Sequence, residues 1–313
     1  MSQIWLGRAR TTVRWLVVVA TAIVLFSVGS NHSAHLAAID LKFDIFWVTN
    51  AFVATTAANL LLPLGWRQIV MSFGPVLARG PAVRLWCLAQ TARYLPTGLL
   101  AVASRLQLAA RAGVSRSITA SSLLIETATL FGWALLVCTI FVPSSTLPQE
   151  IRWLLGLSCA LGLVASPWLI SFLGAKVPRI KNLTLPRPRA ILIAKGAALL
   201  GASVAARAIG TTCLAIGFLE IGMDDIPLVL GAAYAGVAAG MVGVTPAGIG
   251  VREGVMAAIL ANRFGLTDAA AFALVSRAWE FGFEMMFLAA ASWWGRTNKH
   301  RYTEDSAIPQ VKL

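Results

Sequence analysis

The sequence predicts an all-α polytopic membrane protein, and composition is the first reason. Apolar residues make up 58% of the 313-residue chain and charged residues only 12%, whereas a soluble domain carries about 25% charged residues. The mean hydropathy is +0.76. Apolar runs of about 20 residues, long enough to cross a bilayer as helices, recur along the whole chain. We therefore expect one integral membrane domain over residues 1–313, without a soluble catalytic domain.

Six apolar runs are predicted to be full transmembrane helices. The first is predicted to be a retained helix, because it is long for a signal-peptide core and no Ala-x-Ala site follows it. Pro63 and Gly65 are predicted to end the second. The tails at 1–12 and 296–313 are predicted to be cytoplasmic. The predicted spans are 13–30, 43–64, 118–142, 153–173, 191–219 and 269–294.

The distribution of Lys and Arg supports this topology. Eighteen of the 26 basic residues fall in loops and tails predicted to be cytoplasmic, and three fall outside. This bias follows the positive-inside rule and predicts a multi-pass protein of the cytoplasmic (inner) cell membrane with both termini inside. The net charge of +13 therefore reflects short basic loops, and we expect no nucleic-acid partner.

Two segments, 66–105 and 226–262, do not have the pattern of a single transmembrane helix. The charge bias holds only if each segment starts and ends on one side of the membrane, so we predict two re-entrant helical hairpins of opposite orientation. The alternative is that 226–262 forms two ordinary helices and another span is miscounted. Paired interrupted segments indicate a transport site near the membrane midplane. The helix breakers at the two predicted tips are Pro96, Gly98, Pro246, Gly248 and Gly250.

Charged side chains inside the apolar runs are the main candidates for function, because each costs about 2.5–3.5 kcal/mol or more at the bilayer centre. Arg277, Glu280 and Glu284 have i, i+3 and i+7 spacing, so they share one helix face, which we expect to face the bundle interior. The intramembrane charges are Arg93, Glu126, Arg207, Arg252, Glu253, Arg277, Glu280 and Glu284.

Two interpretations of these charges stay open. They could neutralise one another, with pairs such as Arg277–Glu280, Arg252–Glu126 and Arg207–Glu284. Alternatively, the arginines bind an anionic group while the glutamates balance them, bind a cationic part of the ligand or carry protons. Arginine suits phosphate because its planar fork makes two parallel hydrogen bonds.

The second hairpin tip is predicted to add to such an anion site. A helix N-terminus offers free N–H groups, and glycine lets a phosphate approach them closely; the alternative is that these residues are plain packing breakers. The candidate substrate-binding residues are Arg93, Pro96, Gly98, Glu126, Arg207, Thr245, Gly248, Gly250, Arg252, Glu253, Arg277, Glu280 and Glu284.

No catalytic constellation is recognisable in the sequence. The three histidines have no plausible metal-binding companions, and no P-loop is present, so direct use of ATP is not expected. We therefore expect translocation rather than an enzymatic reaction, and neither a cofactor nor a metal.

Two motifs carry a family resemblance. The first is Pro246-Ala247-Gly248-Ile249-Gly250-Val251-Arg252-Glu253-Gly254. It resembles the Pro-x-Gly-x-Gly-x-Arg-Glu signature of the lysylphosphatidylglycerol synthase transmembrane-region family of flippase-like proteins. The second, Arg93-Tyr94-Leu95-Pro96-Thr97-Gly98, looks like the family's Tyr-Leu-Pro-Gly element. The chain departs from the family pattern at Ala247 and Thr97, and it resembles a stand-alone member without the soluble aminoacyl-transferring domain.

The resemblance implies a flippase-like transporter that moves a lipid with a phosphate-bearing head group between leaflets. The implied cargoes are polyprenyl-phosphate-linked sugars, modified phospholipids and glycolipids of the cell envelope. The implied partners are a glycosyltransferase or synthase and a second copy of the chain in a homodimer. The alternative is an accessory membrane subunit or scaffold that recruits a glycosyltransferase or lipid-modifying enzyme.

Overall fold

The computed structural model describes residues 44–90, 98–143, 148–176, 186–219, 221–242 and 246–297. Within these ranges the chain is helical and contains no strand. Short 3-10 turns lie at Met223–Asp225 and Pro246–Gly248. The helices are α1 (Ile45–Ser72), α2 (Arg79–Gln90), α3 (Gly98–Arg111), α4 (Arg116–Phe141), α5 (Gln149–Lys176), α6 (Ala190–Leu219), α7 (Ile226–Val242), α8 (Val251–Phe264) and α9 (Leu266–Thr297).

Five stretches of the described chain are long and apolar enough to cross a membrane. They are Ile45–Ser72, Arg116–Phe141, Gln149–Phe172, Ala190–Leu219 and Met223–Val242. This confirms the prediction of an all-α, multi-pass membrane protein. The predicted first span at 13–30 and the tail at 1–12 lie outside the described residues, as does nearly all of the tail at 296–313.

The prediction that the second span ends at Pro63 and Gly65 is wrong, because α1 continues to Ser72. The reason is packing against α6, with which α1 makes its most extensive contact. A Cβ on Gly65 would lie 2.8 Å from Leu200 Cδ2 and 3.2 Å from the Gly196 carbonyl oxygen. Gly65 thus allows α1 and α6 to pack closely. Pro63 is fully buried in the same interface region, where neighbouring helices make an intrahelical proline tolerable.

Three helices are too short to cross the hydrocarbon core. Helix α2 has 12 residues, and α3 and α8 have 14 each. At 1.5 Å per residue they measure roughly 18–21 Å, against about 30 Å for the core. They lie mostly within the two segments predicted to be re-entrant, but the second segment also contains α7, which belongs to one of the five candidate spans. The tip of the first, residues 91–97, lies outside the described residues.

Helices α7 and α8 form an antiparallel hairpin. Arg263 near the end of α8 contacts Asp225 just before α7, with 2.8 Å between Arg263 Nε and Asp225 Oδ1. The segment therefore leaves and returns at the same end of the bundle, as a hairpin requires. Its depth in the bilayer stays a prediction.

Two of the three apolar cores of the described helices carry buried charges. The first surrounds Trp66, Leu85, Ile118 and Leu200, where α1, α2, α4 and α6 meet. The second surrounds Leu214, Val229, Leu260 and Phe272, where α6 to α9 meet. Each core carries one cluster of buried charges, and these clusters are the candidate sites.

Candidate functional site

Glu280 on α9 is the centre of a buried ion cluster. Its carboxylate accepts two hydrogen bonds from Arg252, from Nη1 to Oε2 at 2.7 Å and from Nη2 to Oε1 at 2.6 Å. Arg207 Nη1 donates to Glu280 Oε1 at 3.3 Å. The Arg252 contact is the two-pronged arrangement that makes arginine a strong partner for oxyanions. The Glu280 side chain is 11% exposed.

Arg277 joins Glu280 to a second carboxylate. Its Nη1 lies 3.6 Å from Glu280 Oε2, and its Nε lies 3.3 Å from Glu253 Oε1. Its Nη2 donates to the carbonyl oxygen of Ala247 at 3.3 Å. Three arginines and two glutamates therefore lie together. We call Arg207, Arg252, Glu253, Arg277 and Glu280 the Glu280 cluster.

Polar side chains of α1 support this cluster from the opposite side. Arg207 Nη2 donates to Asn59 Oδ1 at 3.3 Å, and Asn59 Nδ2 donates to the Thr55 carbonyl oxygen at 2.9 Å. Trp279 Nε1 donates to Thr55 Oγ1 at 3.0 Å. These bonds tie Arg207 and the Trp279 ring to α1.

Glycines on α7 set the position of Arg252. A Cβ on Gly236 would lie 2.6 Å from the Arg252 carbonyl oxygen, and one on Gly240 would lie 3.3 Å from Arg252 Cβ. Gly236 and Gly240 are four residues apart and so share one helix face. Small residues at this spacing let membrane helices approach closely. The backbone of Arg252 consequently rests directly on α7.

The turn before α8 has a left-handed backbone. Ala247, Gly248 and Gly250 have φ values of 54°, 71° and 85°, a region that favours glycine. Gly250 N–H, which we predicted to bind phosphate, donates instead to Glu253 Oε2 at 2.6 Å. The Glu253 carboxylate thus caps the helix that carries it.

A small cavity adjoins the cluster. Its volume is about 20 Å³, enough for roughly one water molecule. Arg207 and Arg252, each 22% exposed, reach its wall. Hydroxyl groups and the Glu280 carboxylate line it together with these arginines. The polar lining residues are Thr55, Arg207, Thr211, Arg252, Ser276 and Glu280.

A second group of buried charges, the Arg105–Glu126 pair, lies in the first core. Arg105 Nη2 is 2.8 Å from Glu126 Oε2, and the two side chains are 9% and 4% exposed. Trp86 Nε1 donates to Glu126 Oε1 at 2.9 Å. Arg105 Cζ lies 4.5 Å from the Trp66 ring centroid and 5.8 Å from that of Trp86. Two indole rings therefore enclose the guanidinium.

The structure decides between the predicted ion pairs. Arg277–Glu280 is confirmed. The predicted Arg252–Glu126 pair is wrong, because Glu126 on α4 faces α2 and α3 and pairs with Arg105. Arg207 contacts Glu280, one turn before its predicted partner Glu284 on α9.

The predicted site residues are only partly brought together. Arg207, Arg252, Glu253, Arg277 and Glu280 form one cluster, and Gly248 and Gly250 lie at the turn beside it. Glu284 lies one turn beyond Glu280 and is partly buried, Glu126 belongs to the other cluster, and Gly98 begins α3. Arg93, Pro96 and Thr245 lie outside the described residues.

Sequence reasoning missed several partners. Arg105 was not among the predicted site residues, yet it is 7% exposed inside the first core. Thr55 and Asn59 carried a usable signal, because polar residues four apart in an apolar run share a helix face. Trp86 and Trp279 carried none, since a tryptophan in such a run is ordinary.

Comparison with known proteins adds no relative: no protein-family model, no curated protein and no solved structure matches the chain. The resemblance to the lysylphosphatidylglycerol synthase transmembrane-region family therefore stays a prediction from the two motifs. The fold and the site define the class as a multi-pass helical membrane protein with a buried, arginine-rich ion cluster. Among the described residues, no three His, Cys, Asp or Glu side chains are grouped to hold a metal ion.

Proposed function

We propose that this protein moves a lipid with a phosphate-bearing head group, such as a polyprenyl-phosphate-linked sugar or a modified phospholipid, between the leaflets of the cytoplasmic membrane. The observation that carries the proposal is the convergence of three arginines on Glu280, beside a cavity and between apolar helices.

The exposure of two arginines supports a ligand site over a purely structural one. Buried ions are costly in an apolar bundle, yet three arginines meet at Glu280. Two of them, Arg207 and Arg252, are the more exposed members at 22% each, and both line the cavity. Arginine forks bind phosphate oxygens in pairs, so these two side chains can bind an oxyanion that enters from the cavity.

In this proposal the lipid tail stays in the bilayer while the head group passes through the interior. Arg252 and Arg207 bind its phosphate, and Arg277, held by Glu253, keeps the local potential positive. The short helix α8 brings Arg252 to the cavity without crossing the bilayer. In the absence of a nucleotide-binding motif, transport runs down the lipid gradient or is coupled to an ion gradient.

The alternative is an accessory subunit whose Glu280 cluster only holds the bundle together. The two functions differ in what happens when Arg252 is lost. A lipid-binding arginine is required for transport by the isolated protein, whereas a structural arginine affects only stability.

The test is a lipid translocation assay in vesicles reconstituted with the purified protein. The probes are a fluorescent phosphatidylglycerol and a fluorescent polyprenyl phosphate, and a neutral glycolipid with the same label is the control lipid. The variants are Arg252→Ala and, as a matched arginine control, Arg263→Ala, whose side chain is 62% exposed and outside the cluster.

We expect wild type and Arg263→Ala to translocate at least one phosphate lipid, and Arg252→Ala to do so at least about tenfold more slowly, as expected for a lost charged contact of 1.4 kcal/mol or more. Equal rates for wild type and Arg252→Ala would refute the transporter proposal. No translocation of either phosphate lipid by a folded wild type would favour the accessory-subunit alternative.

A further inference from the structure

We infer that the Glu280 carboxylate occupies the position of the ligand's oxyanion and must leave Arg252 before a head group binds. Glu280 is thus a built-in competitor that sets which lipids are accepted. The inference rests on the proposed function and adds to it the chemistry of the ligand.

The geometry of the Arg252–Glu280 contact is the first support. Two carboxylate oxygens take two guanidinium N–H groups at 2.6 and 2.7 Å. Two non-bridging phosphate oxygens would use the same pair of donors. Carboxylate and phosphate cannot share this fork, because both are negatively charged and each fills it.

The surroundings of Glu280 give the displaced carboxylate a place to go. The cavity of about 20 Å³ adjoins it, and Thr211 and Ser276 contribute hydroxyl groups to the wall. Ser276 lies one turn before Glu280 on α9, so a change of side-chain rotamer can bring the carboxylate towards these hydroxyls. These hydroxyl groups can donate hydrogen bonds to the displaced carboxylate in place of those from Arg252. The Ser276 hydroxyl, which donates to the Ala273 carbonyl oxygen at 2.8 Å, turns to do so.

The other carboxylate of the cluster has different partners. Glu253 binds Arg277 and the Gly250 N–H. When Glu280 leaves, Arg277 loses a contact of 3.6 Å with it but keeps Glu253 and the Ala247 carbonyl. The exchange therefore changes the contacts of Arg252 and Arg207 most.

This exchange limits the accepted ligands. A ligand must offer an oxyanion that is at least as good an acceptor as a carboxylate, because it displaces one. Phosphate-bearing lipids meet this condition, and lipids with neutral head groups do not.

The test measures binding of dioctanoyl phosphatidylglycerol to the purified full-length protein by isothermal titration calorimetry. The variants are Glu280→Gln, Arg252→Ala and Glu253→Gln. Glu253→Gln is the matched control, because it removes the same charge from the same cluster but does not free Arg252.

We expect Glu280→Gln to bind about tenfold more tightly than wild type, Glu253→Gln to change affinity by less than about threefold, and Arg252→Ala to lose binding. If Arg252→Ala weakens binding while Glu280→Gln binds no more tightly than wild type, the inference fails and the proposed function stands. An equal gain in the two glutamine variants also overturns it, since charge alone would then explain the effect. If Arg252→Ala binds as wild type does, both fail.

Glu280→Asp keeps the proposal testable if the glutamine variant does not fold. Aspartate is one methylene shorter, so it cannot hold Arg252 and Arg207 as closely but retains the charge. We expect Glu280→Asp to bind the probe about threefold more tightly than wild type, and an unchanged or weaker affinity would overturn the inference.

Discussion

The two clusters of buried charge in this apolar bundle differ in composition and in surroundings. The Arg105–Glu126 pair has one cation and one anion, 9% and 4% exposed, and two tryptophans enclose it. The Glu280 cluster has three arginines and two glutamates, and it adjoins a cavity. The first is an enclosed pair of one cation and one anion, whereas the second groups three arginines beside a cavity.

The difference separates a structural ion pair from a candidate binding site. A closed, balanced pair has no use for a further ion, so its disruption should affect stability alone. A group of arginines that lines a cavity can bind a further oxyanion. The variants below should therefore divide between stability and transport according to the cluster that they touch.

The largest stability effect should come from breaking the Arg105–Glu126 pair. Glu126→Gln leaves Arg105 buried without a counter-charge, which should cost about 3–5 kcal/mol of unfolding free energy. The measurement is denaturant unfolding in detergent, followed by tryptophan fluorescence.

The double variant Arg105→Met/Glu126→Leu sharpens this prediction. Replacing both ions by apolar side chains should restore stability to within about 1–2 kcal/mol of wild type and leave translocation unchanged. A stable double variant that no longer translocates phosphate lipid would show that the pair is required for transport. That result would contradict the assignment of the pair as purely structural.

The next largest effect should come from Gly236→Ala. The new methyl group would lie 2.6 Å from the Arg252 carbonyl oxygen and push α8 away from α7. We expect a loss of about 1–3 kcal/mol together with weaker phosphatidylglycerol binding, because Arg252 moves with its backbone. The control is Gly162→Ala in α5, where a Cβ meets nothing within 4 Å. A similar loss of stability in that variant would show that the clash with Arg252 is not the cause.

A smaller effect is expected for Glu253→Gln. Glutamine keeps an acceptor for the Gly250 N–H, and Arg277 keeps its contact with Glu280. The variant mainly loses a negative charge at a helix N-terminus, worth about 1 kcal/mol. Thermal unfolding in detergent measures this loss of stability. A loss as large as that of Glu126→Gln would contradict the view that Glu253 is a local helix cap.

The smallest effect is expected for Arg263→Ala. Arg263 and Asp225 join the two ends of the α7–α8 hairpin, but the arginine is 62% exposed, and exposed ion pairs contribute little. Stability and translocation should both equal those of wild type. A clear loss of translocation would show that the hairpin ends matter to transport.

The sequence predicted the helices well because apolar runs of membrane length depend on local composition. Helix α6 was predicted over 191–219 and spans Ala190–Leu219. The error at Pro63 and Gly65 has a tertiary cause, since only contact with α6 explains why a glycine there continues a helix.

The sequence predicted which residues form the candidate site better than it predicted which of them contact one another. Arg277 and Glu280 are three residues apart on one helix, so their pairing follows from helical geometry. Arg252 and Glu280 are separated by 28 residues and a turn, and no local rule connects them. Arg105 was missed for the same reason, because its partner lies on another helix.

The most direct test is an experimental structure of the protein in lipid nanodiscs that contain a polyprenyl phosphate. We predict a phosphate within hydrogen-bond distance of both terminal nitrogens of Arg252, with the Glu280 carboxylate turned towards Thr211 and Ser276. A lipid phosphate bound elsewhere, with Glu280 still making both hydrogen bonds to Arg252, would contradict the assignment of this cluster as the head-group site.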